Sequence, residues 1–185
     1  MKIIHTIDEY TGPGAVVALG TFDGVHIGHQ KLIAAAIARA RADGLDAAVC
    51  TFDRHPLALL APDKAPAALL TQVEKLEKFM RLGVDVALVL PFTRAFADQP
   101  PRDFLEGLVR GLRAKALVVG ENYTFGRGGA GDSELIRALA PALGYEAVVV
   151  EAVKDEGEVV SSTLIRRLIA AGKTERAEKL LGEAP

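Results

Sequence analysis

The sequence predicts an α/β protein in which a five-stranded parallel sheet carries helices on both faces. Short runs rich in Val, Leu and Ala recur at residues 15–19, 47–52, 85–90, 116–119 and 147–150. Each run is apolar throughout rather than alternating, as in strands that are covered on both faces. Helix-like segments separate the runs, and this regular alternation favours parallel pairing with right-handed crossovers.

Four helices are predicted from apolar residues at helical spacing and from end signals. They cover residues 30–43, Thr71 to Gly83, Pro101 to about Gly111, and about Ser133 to Leu143 behind an Asp132 cap. Thr71 and Glu74 have the spacing of a capping box, and the apolar face of that helix is predicted to include Phe79 and Met80. Pro101 suits a first helical position, where its missing N–H costs nothing.

Beyond Glu151 the pattern changes. Residues 155–158 predict a turn, residues 159–160 a short edge strand, and Ser161 begins two closing helices that separate at Gly172. The most economical interpretation of residues 1–185 is one domain.

The composition argues against several classes of protein. The chain has 24 acidic and 22 basic residues and a formal net charge of −2, whereas broad nucleic-acid binding needs clustered Lys and Arg. No apolar run approaches the roughly 20 residues that cross a bilayer, so no membrane partner is expected. Cys50 is the one cysteine, and its apolar surroundings predict a buried thiol in a reducing compartment, the cytoplasm.

The first predicted strand runs into the segment GTFDGVHIGH, residues 20–29, and a helix follows at once. Ligands of open α/β sheets bind at the carboxyl ends of the strands, and a helix start offers free N–H groups to an anion. His26 and His29 are three residues apart and can face the same anion. A pair of solvated histidines is the simpler alternative, but the coincidence with three glycines and a helix start favours a functional role. A zinc site is less well supported, because no further ligands stand at suitable spacing.

Five segments in order resemble signatures of one known family. GTFDGVHIGH resembles the His-x-Gly-His motif of nucleotidyltransferases, and its Phe-Asp-Gly start is most similar to the FMN adenylyltransferase (FAD synthetase) module of bacterial bifunctional riboflavin kinase/FAD synthetases. The segments TFDRHP (51–56), PFTRAFA (91–97), VGENYTFG (119–126) and SSTLIR (161–166) resemble further signatures of that family. Arg54 departs from the pattern, since the family usually has proline there. The resemblance covers about residues 14–182.

The resemblance implies a Rossmann-like nucleotidyltransferase fold and the transfer of AMP from ATP to the phosphate of FMN. The products would be FAD and pyrophosphate, formed by direct in-line attack with Mg²⁺ accompanying ATP. The phosphate of FMN is already mostly dianionic at pH 7, so the histidines are expected to stabilise charge rather than to act as a general base. The family continues from a Leu-Leu-Gly segment, here ending at Gly182, into a riboflavin kinase domain, which is expected to be absent here.

The motifs and the resemblance together give three sets of candidate site residues, with no metal ligand assigned. The catalytic set is His26, His29, Asn122, Ser162, Thr163 and Arg166. The ATP-binding set is Gly20, Thr21, Phe22, Gly24, His26, His29, Ser162, Thr163 and Arg166. The FMN-binding set is Phe52, His55, Pro56, Asn122, Thr124 and Phe125. Plainer interpretations stay open: a simple helix cap with a solvated Arg166, core packing for Phe52, and a turn at His55 and Pro56.

Other functions stay open at this point. The segment GRGGAG, residues 126–131, matches the dinucleotide fingerprint Gly-x-Gly-x-x-Gly, with Glu151 as a possible ribose contact. Five residues separate it from the strand-ending Gly120, so it is interpreted instead as a flexible loop that closes over flavin or triphosphate. A nucleotidyltransferase with another phosphorylated acceptor, such as pantetheine phosphate or nicotinate mononucleotide, is a second alternative. A binding module without catalysis is a third.

Overall fold

The computed structural model describes residues 1–182, which form an α/β fold. In chain order the strands and helices are β1 (Lys2–Ile4), β2 (Ala15–Leu19), α1 (Ile27–Asp43), β3 (Asp46–Phe52), α2 (Pro56–Leu60), α3 (Gln72–Leu82), β4 (Val86–Leu90), α4 (Arg94–Ala97), α5 (Pro101–Gly111), β5 (Ala116–Gly120), β6 (Thr124–Phe125), β7 (Gly131–Asp132), α6 (Ser133–Leu143), β8 (Glu146–Val150), β9 (Lys154–Asp155), β10 (Glu158–Val159), α7 (Ser162–Ala170) and α8 (Thr174–Leu181). Among these residues no helix is both long enough and apolar enough to cross a membrane.

The central sheet has six parallel strands in the order β1-β4-β3-β2-β5-β8. The chain builds outward from β2 through β3 to β4 and then returns to β5 on the other side of β2. The strand order therefore reverses between β2 and β5, which is where open α/β sheets bind ligands. The loops after β2 and β5 both lie at this edge.

The expected parallel sheet with helices on both faces is confirmed, but the predicted number of strands was wrong. The sixth strand, β1, pairs with β4 in the register Lys2 to Val86. It has three residues, of which Lys2 and Ile3 are exposed. So short an edge strand leaves no periodicity to detect in the sequence.

Two hydrophobic clusters fill the two faces of the sheet. One joins strand residues such as Leu88 and Leu117 to Leu105 of α5 and Ile136 of α6. The other joins alternate strand residues to side chains of α1 and α3, among them Phe79. Since every central strand packs on both sides, its sequence is apolar throughout. A third, smaller cluster holds α7 and α8 together beside the β2–α1 loop.

Helix ends follow the predicted signals, with one shift. Thr71 and Glu74 form the capping box of α3, and Asp132 caps α6 by accepting from the N–H of Leu135 at 2.8 Å. The first helix begins at Ile27 rather than at residue 30, because the side chain of His26 caps it.

The region after Glu151 forms a hairpin rather than an edge strand of the main sheet. β9 and β10 pair with each other in antiparallel fashion, and Glu156 and Gly157 both have positive φ at the turn. Two left-handed residues in a two-residue connection match the twist of a hairpin. Val160, expected to extend a strand, is instead buried in the cluster of α7 and α8. The two closing helices themselves are confirmed.

Candidate active site

The loop between β2 and α1 is tightly bent and anchored by buried apolar side chains. Phe22 and Val25 both have left-handed φ angles, 51° and 43°, which cost about 1–3 kcal/mol each for residues other than glycine. Both side chains are fully buried, and the ring of Phe22 contacts those of His29 and Phe79 at centroid distances of 5.3 and 5.5 Å. The loop therefore holds the start of α1 against the edge of the sheet.

His26 and His29 form a stacked pair at the start of α1. Their ring centroids are 3.6 Å apart with an interplanar angle of 15°. The backbone N–H of His29 donates to Nδ1 of His26 at 3.3 Å, so a neutral His26 carries its proton on Nε2. Gly28 makes room for this ring, because a Cβ atom there would lie 3.2 Å from both Cε1 and Nδ1 of His26.

Both histidines are uncharged at neutral pH. His26 is 5% exposed, and burial lowers its pKa to about 4 although the nearby Asp23 acts in the opposite direction. Burial, then His26 and Lys75, hold the pKa of His29 well below its usual range. Nδ1 of His29 is buried and has no hydrogen-bond partner among the described residues. A bound ligand would satisfy such a group.

The histidines line a cavity of about 370 Å³, which we name the histidine cavity. Its walls are the loops after β2 and β5, the end of β8 and the helix starts of α1 and α7. Eight predicted site residues meet there: Gly20, Thr21, Phe22, His26, His29, Asn122, Ser162 and Thr163. Two helix starts thus border one space, and helix starts suit the binding of phosphate groups.

A second cavity of about 380 Å³ adjoins the first, and we name it the aromatic cavity. Six aromatic side chains line it: Phe52, Phe92, Phe96, Phe104, Tyr123 and Phe125. Phe52, Phe92 and Phe96 pack edge to face at centroid distances of 5.0 to 5.7 Å. The predicted residues Pro56 and Thr124 also line this cavity, whereas Asn122 does not. Thr21 and Tyr123 line both cavities, so the two spaces meet at these residues.

Phe92, Phe96 and Phe104 were missing from the predicted site. The segment 91–97 did contain a usable signal, because two phenylalanines four residues apart follow directly after a strand. Since the carboxyl ends of parallel strands share one edge of the sheet, aromatic side chains at such a position are candidates for a binding site.

His55 and Gly24 line a third, smaller cavity of about 200 Å³ rather than the sites predicted for them. Nδ1 of His55 accepts from the N–H of Leu57 at 3.1 Å, so His55 caps α2. Asp23, Asp53 and Lys75 line the same space. In the structure His55 thus caps a helix and does not line the aromatic cavity.

Arg166, expected to clamp phosphate, does not line the histidine cavity. Its guanidinium forms an ion pair with Asp23, and its Nε donates to the carbonyl oxygen of Ala67 at 2.7 Å. The hydroxyl of Ser162 donates to the carbonyl oxygen of Asp23 at 2.8 Å. The contacts with Asp23 fasten α7 to the β2–α1 loop, and the contact with Ala67 fastens it to the segment between α2 and α3.

The segment 126–131 does not have the geometry of a dinucleotide fingerprint. It follows the short strand β6 and ends in the first residue of β7, and Gly126, Gly128 and Gly129 line the aromatic cavity. The fingerprint requires its first glycine directly after a strand of the main sheet. The NAD-binding alternative therefore has no structural support.

No cluster of three or more His, Cys, Asp or Glu side chains that could hold a metal ion occurs within residues 1–182. In the third cavity, Asp23 pairs with Arg166 and Asp53 pairs with Arg54. His55 uses its Nδ1 atom to cap a helix. Mg²⁺ is commonly bound by one or two carboxylates together with phosphates of a substrate.

Comparisons with known proteins identify the family to which the chain belongs. Residues 9–164 match the family model described as FAD synthetase. The bifunctional riboflavin kinase/FMN adenylyltransferase of Listeria monocytogenes is 38% identical over 188 residues, covering 98% of this chain and 60% of that protein. The chain thus spans about three fifths of the length of that relative. A putative protein of the same description from Geobacillus thermodenitrificans is 35% identical over 98% of this chain and 97% of its own length.

A solved structure from Streptococcus pneumoniae, named macrolide-efflux protein, is similar with a TM-score of 0.85 and 34% identity. The match covers 98% of this chain and 61% of that one. Its name describes that protein, while the likeness to this chain lies in sequence and fold. From the family model and the full-length relative together, the chain belongs to the FAD synthetase family.

Proposed function

We propose that this chain transfers the AMP group of ATP to the phosphate of FMN and so makes FAD and pyrophosphate. The observation that carries the proposal is the meeting of the histidine and aromatic cavities at Thr21 and Tyr123. One cavity suits a triphosphate and the other a flat aromatic ring, so the phosphate of FMN would reach the α-phosphate of ATP at their junction. We assign this reaction to residues 1–182 acting as one unit in the cytoplasm, where a free thiol such as Cys50 stays reduced.

The histidine cavity is the proposed ATP site. The N–H groups at the starts of α1 and α7 and the hydroxyl of Thr163 would bind phosphate oxygens. The neutral imidazoles of His26 and His29 would donate N–H bonds to charge that develops on the α-phosphate and on the departing pyrophosphate. Loss of one such donor costs about 10²–10³ in rate in comparable sites. Asn122 would contact the phosphates from the loop after β5.

The aromatic cavity is the proposed flavin site. Phe52, Phe96 and Phe125 offer apolar surface to the isoalloxazine ring, and Thr124 offers a polar contact at its rim. His55 and Arg166 take a different part in this proposal from the one the motifs suggested. They hold the loops of the site through a helix cap and an ion pair, without touching substrate.

The reaction needs no general base. The second pKa of a phosphate monoester is about 6, so FMN is mostly a dianion at neutral pH. A phosphate oxygen of FMN forms the new bond to the α-phosphorus, the bond from that phosphorus to the bridging oxygen breaks, and its electron pair leaves with pyrophosphate. Mg²⁺ is written here as part of the substrate Mg·ATP and is held by phosphate oxygens.

The test is direct incubation of the purified chain with Mg·ATP and, in separate reactions, FMN, riboflavin or nicotinamide mononucleotide. Chromatography measures FAD and pyrophosphate. We expect FAD from FMN alone, a loss of about 10²–10³ in rate for His29→Ala, and no turnover when a chelator removes Mg²⁺. Binding of FMN and ATP without release of pyrophosphate would overturn the proposal, and pyrophosphate release with another acceptor would reassign the substrate.

A further inference from the structure

Lys75 is a buried cation that lines neither the histidine cavity nor the aromatic cavity. It lies in α3, is 8% exposed and lines the third cavity. Its ammonium group donates to Oγ1 of Thr51 at 3.3 Å and to the carbonyl oxygen of Phe52 at 3.1 Å. Burial of an ammonium group is unfavourable unless hydrogen bonds and opposite charges compensate, so its partners are informative.

The hydrogen bonds of Lys75 lead to the junction of the two cavities. The hydroxyl of Thr51, itself fully buried, donates to the carbonyl oxygen of Thr21 at 3.0 Å. Thr21 lines both cavities, and Phe52 lines the aromatic one. The ammonium group therefore connects the ends of β2 and β3 at the point where the two proposed substrates would meet.

The charges around Lys75 favour its protonated form. Burial lowers its pKa to about 8, while Asp23 and Asp53 act in the opposite direction. Arg54 and Arg166 pair with those two carboxylates. Lys75 in turn helps to lower the pKa values of His29 and His55.

We propose that Lys75 is a positioning residue that holds the backbone of Thr21 and Phe52, and thereby aligns the phosphate of FMN with the α-phosphate of ATP. This inference rests on the proposed function. A misplacement of about 1 Å between reacting groups can lower a rate about 10²-fold, so alignment has a measurable effect on turnover. The positive charge of Lys75 has a second effect, since it disfavours protonation of His29.

The first test compares Lys75→Met with Lys78→Met. Methionine keeps an unbranched side chain that is one atom shorter, and it removes the charge and the donors. Lys78 lies one turn further along α3 and donates to the carbonyl oxygen of Leu181 at 3.2 Å, so it controls for the loss of a lysine from this helix. We expect kcat for FAD formation to fall about 10²-fold in Lys75→Met with both KM values within about threefold, and Lys78→Met to stay close to the parent chain.

A second variant and a pH profile keep the inference testable if Lys75→Met does not fold. Thr51→Val removes the hydroxyl that accepts from Lys75 and donates to the carbonyl oxygen of Thr21, but it keeps Lys75 itself. This variant should lower kcat in the same way. In the parent chain kcat should fall as the pH rises through about 8, where Lys75 loses its proton. The pKa of His29, followed by NMR, should rise in Lys75→Met and not in Lys78→Met.

The positioning role would be overturned if kcat were unchanged in a folded Lys75→Met or Thr51→Val variant, or if only KM rose. It would also be overturned if kcat of the parent chain did not fall at alkaline pH. Failure of the proposed function is distinguishable, because then the parent chain itself would make no FAD.

Discussion

The backbone N–H of His29 donates to Nδ1 of His26, and the two imidazole rings stack 3.6 Å apart. His26 is therefore both the N-cap of α1 and a wall of the histidine cavity. The cap bond decides which ring nitrogen of His26 accepts, and it leaves Nε2–H as the donor. The same ring thus contributes to the stability of the fold and to the proposed ATP site.

Stability should fall in acid because His26 is buried in its neutral form. Its pKa is about 4 in the folded chain against about 6.5 for a solvated histidine, so between these values the unfolded state binds a proton that the folded state does not. Stability is complete above pH 6.5 and is lost as the pH falls towards 4. In His26→Asn, which keeps a good capping residue, the loss of unfolding free energy between pH 7 and pH 4.5 should be smaller by about 2 kcal/mol.

Thermal or urea unfolding at the two pH values measures this difference. His5→Asn, at an exposed histidine, is the control. An equal acid dependence in His26→Asn and in the parent chain would contradict the assignment.

Gly28→Ala should impair turnover without unfolding the chain. The new Cβ atom would lie 3.2 Å from the ring of His26, so this ring, which stacks on that of His29, must shift slightly. We expect the rate of FAD formation to fall about 10–10²-fold, since small displacements of aligned groups have effects of this size. Gly107→Ala in α5 is the matched control because no atom lies within 4 Å of its added Cβ. The control should retain full activity and gain about 0.5–1 kcal/mol. Equal activities of the two variants would show that Gly28 has no such role.

Leu60→Asp should weaken binding of FMN specifically. Leu60 lines the aromatic cavity and is 44% exposed, so the substitution places a carboxylate beside the flavin without disturbing the core. We expect KM for FMN to rise at least about tenfold, as loss of buried apolar contact and charge repulsion both oppose binding. KM for ATP should not change. Leu57→Asp on the same helix is the control, because Leu57 is similarly exposed and does not line the cavity. A rise in KM for ATP instead would reverse the assignment of the cavities.

The ion pair between Asp23 and Arg166 should be energetically coupled. Both side chains are largely shielded, with side-chain exposures of 12% and 22%, and Arg166 joins α7 to the β2–α1 loop. A double-mutant cycle with Asp23→Asn and Arg166→Gln should give a coupling free energy of about 1–3 kcal/mol. The exposed pair Arg102 and Glu106 should give about 0.3–0.5 kcal/mol. A coupling free energy near zero for Asp23 and Arg166 would contradict the anchoring role.

The central strands could be predicted from the sequence because burial on both faces requires continuous apolar runs. The β2–α1 loop could be predicted because its glycines and histidines occur together at a strand end. β1 could not be predicted, since three residues with an exposed edge carry no pattern. The long-range contacts could not be predicted either. Asp23 and Arg166 are 143 positions apart, and no local pattern in the sequence connects them.

The face of α3 shows why Lys75 was missed. Phe79 is buried as predicted, but Met80 is 56% exposed and Lys75 is buried in its place. A lysine on an amphipathic helix ordinarily lies on the solvated side. The predicted buried face of α3 was therefore displaced by about one residue towards the C-terminus. The carbonyl oxygen of Phe52 and the hydroxyl of Thr51, contributed by a strand more than twenty residues away, accept hydrogen bonds from the buried ammonium group, and Asp23 and Asp53 favour its charge.

The shared wall of Thr21 and Tyr123 has a consequence for the end of the reaction. FAD contains both the adenylate and the flavin, so under the proposed function one product molecule occupies both adjoining cavities. Once one half is bound, the other is held at a high effective concentration, and avidity exceeds the affinity of either half alone. FAD would therefore dissociate more slowly than either substrate, and accumulated FAD would inhibit its own synthesis.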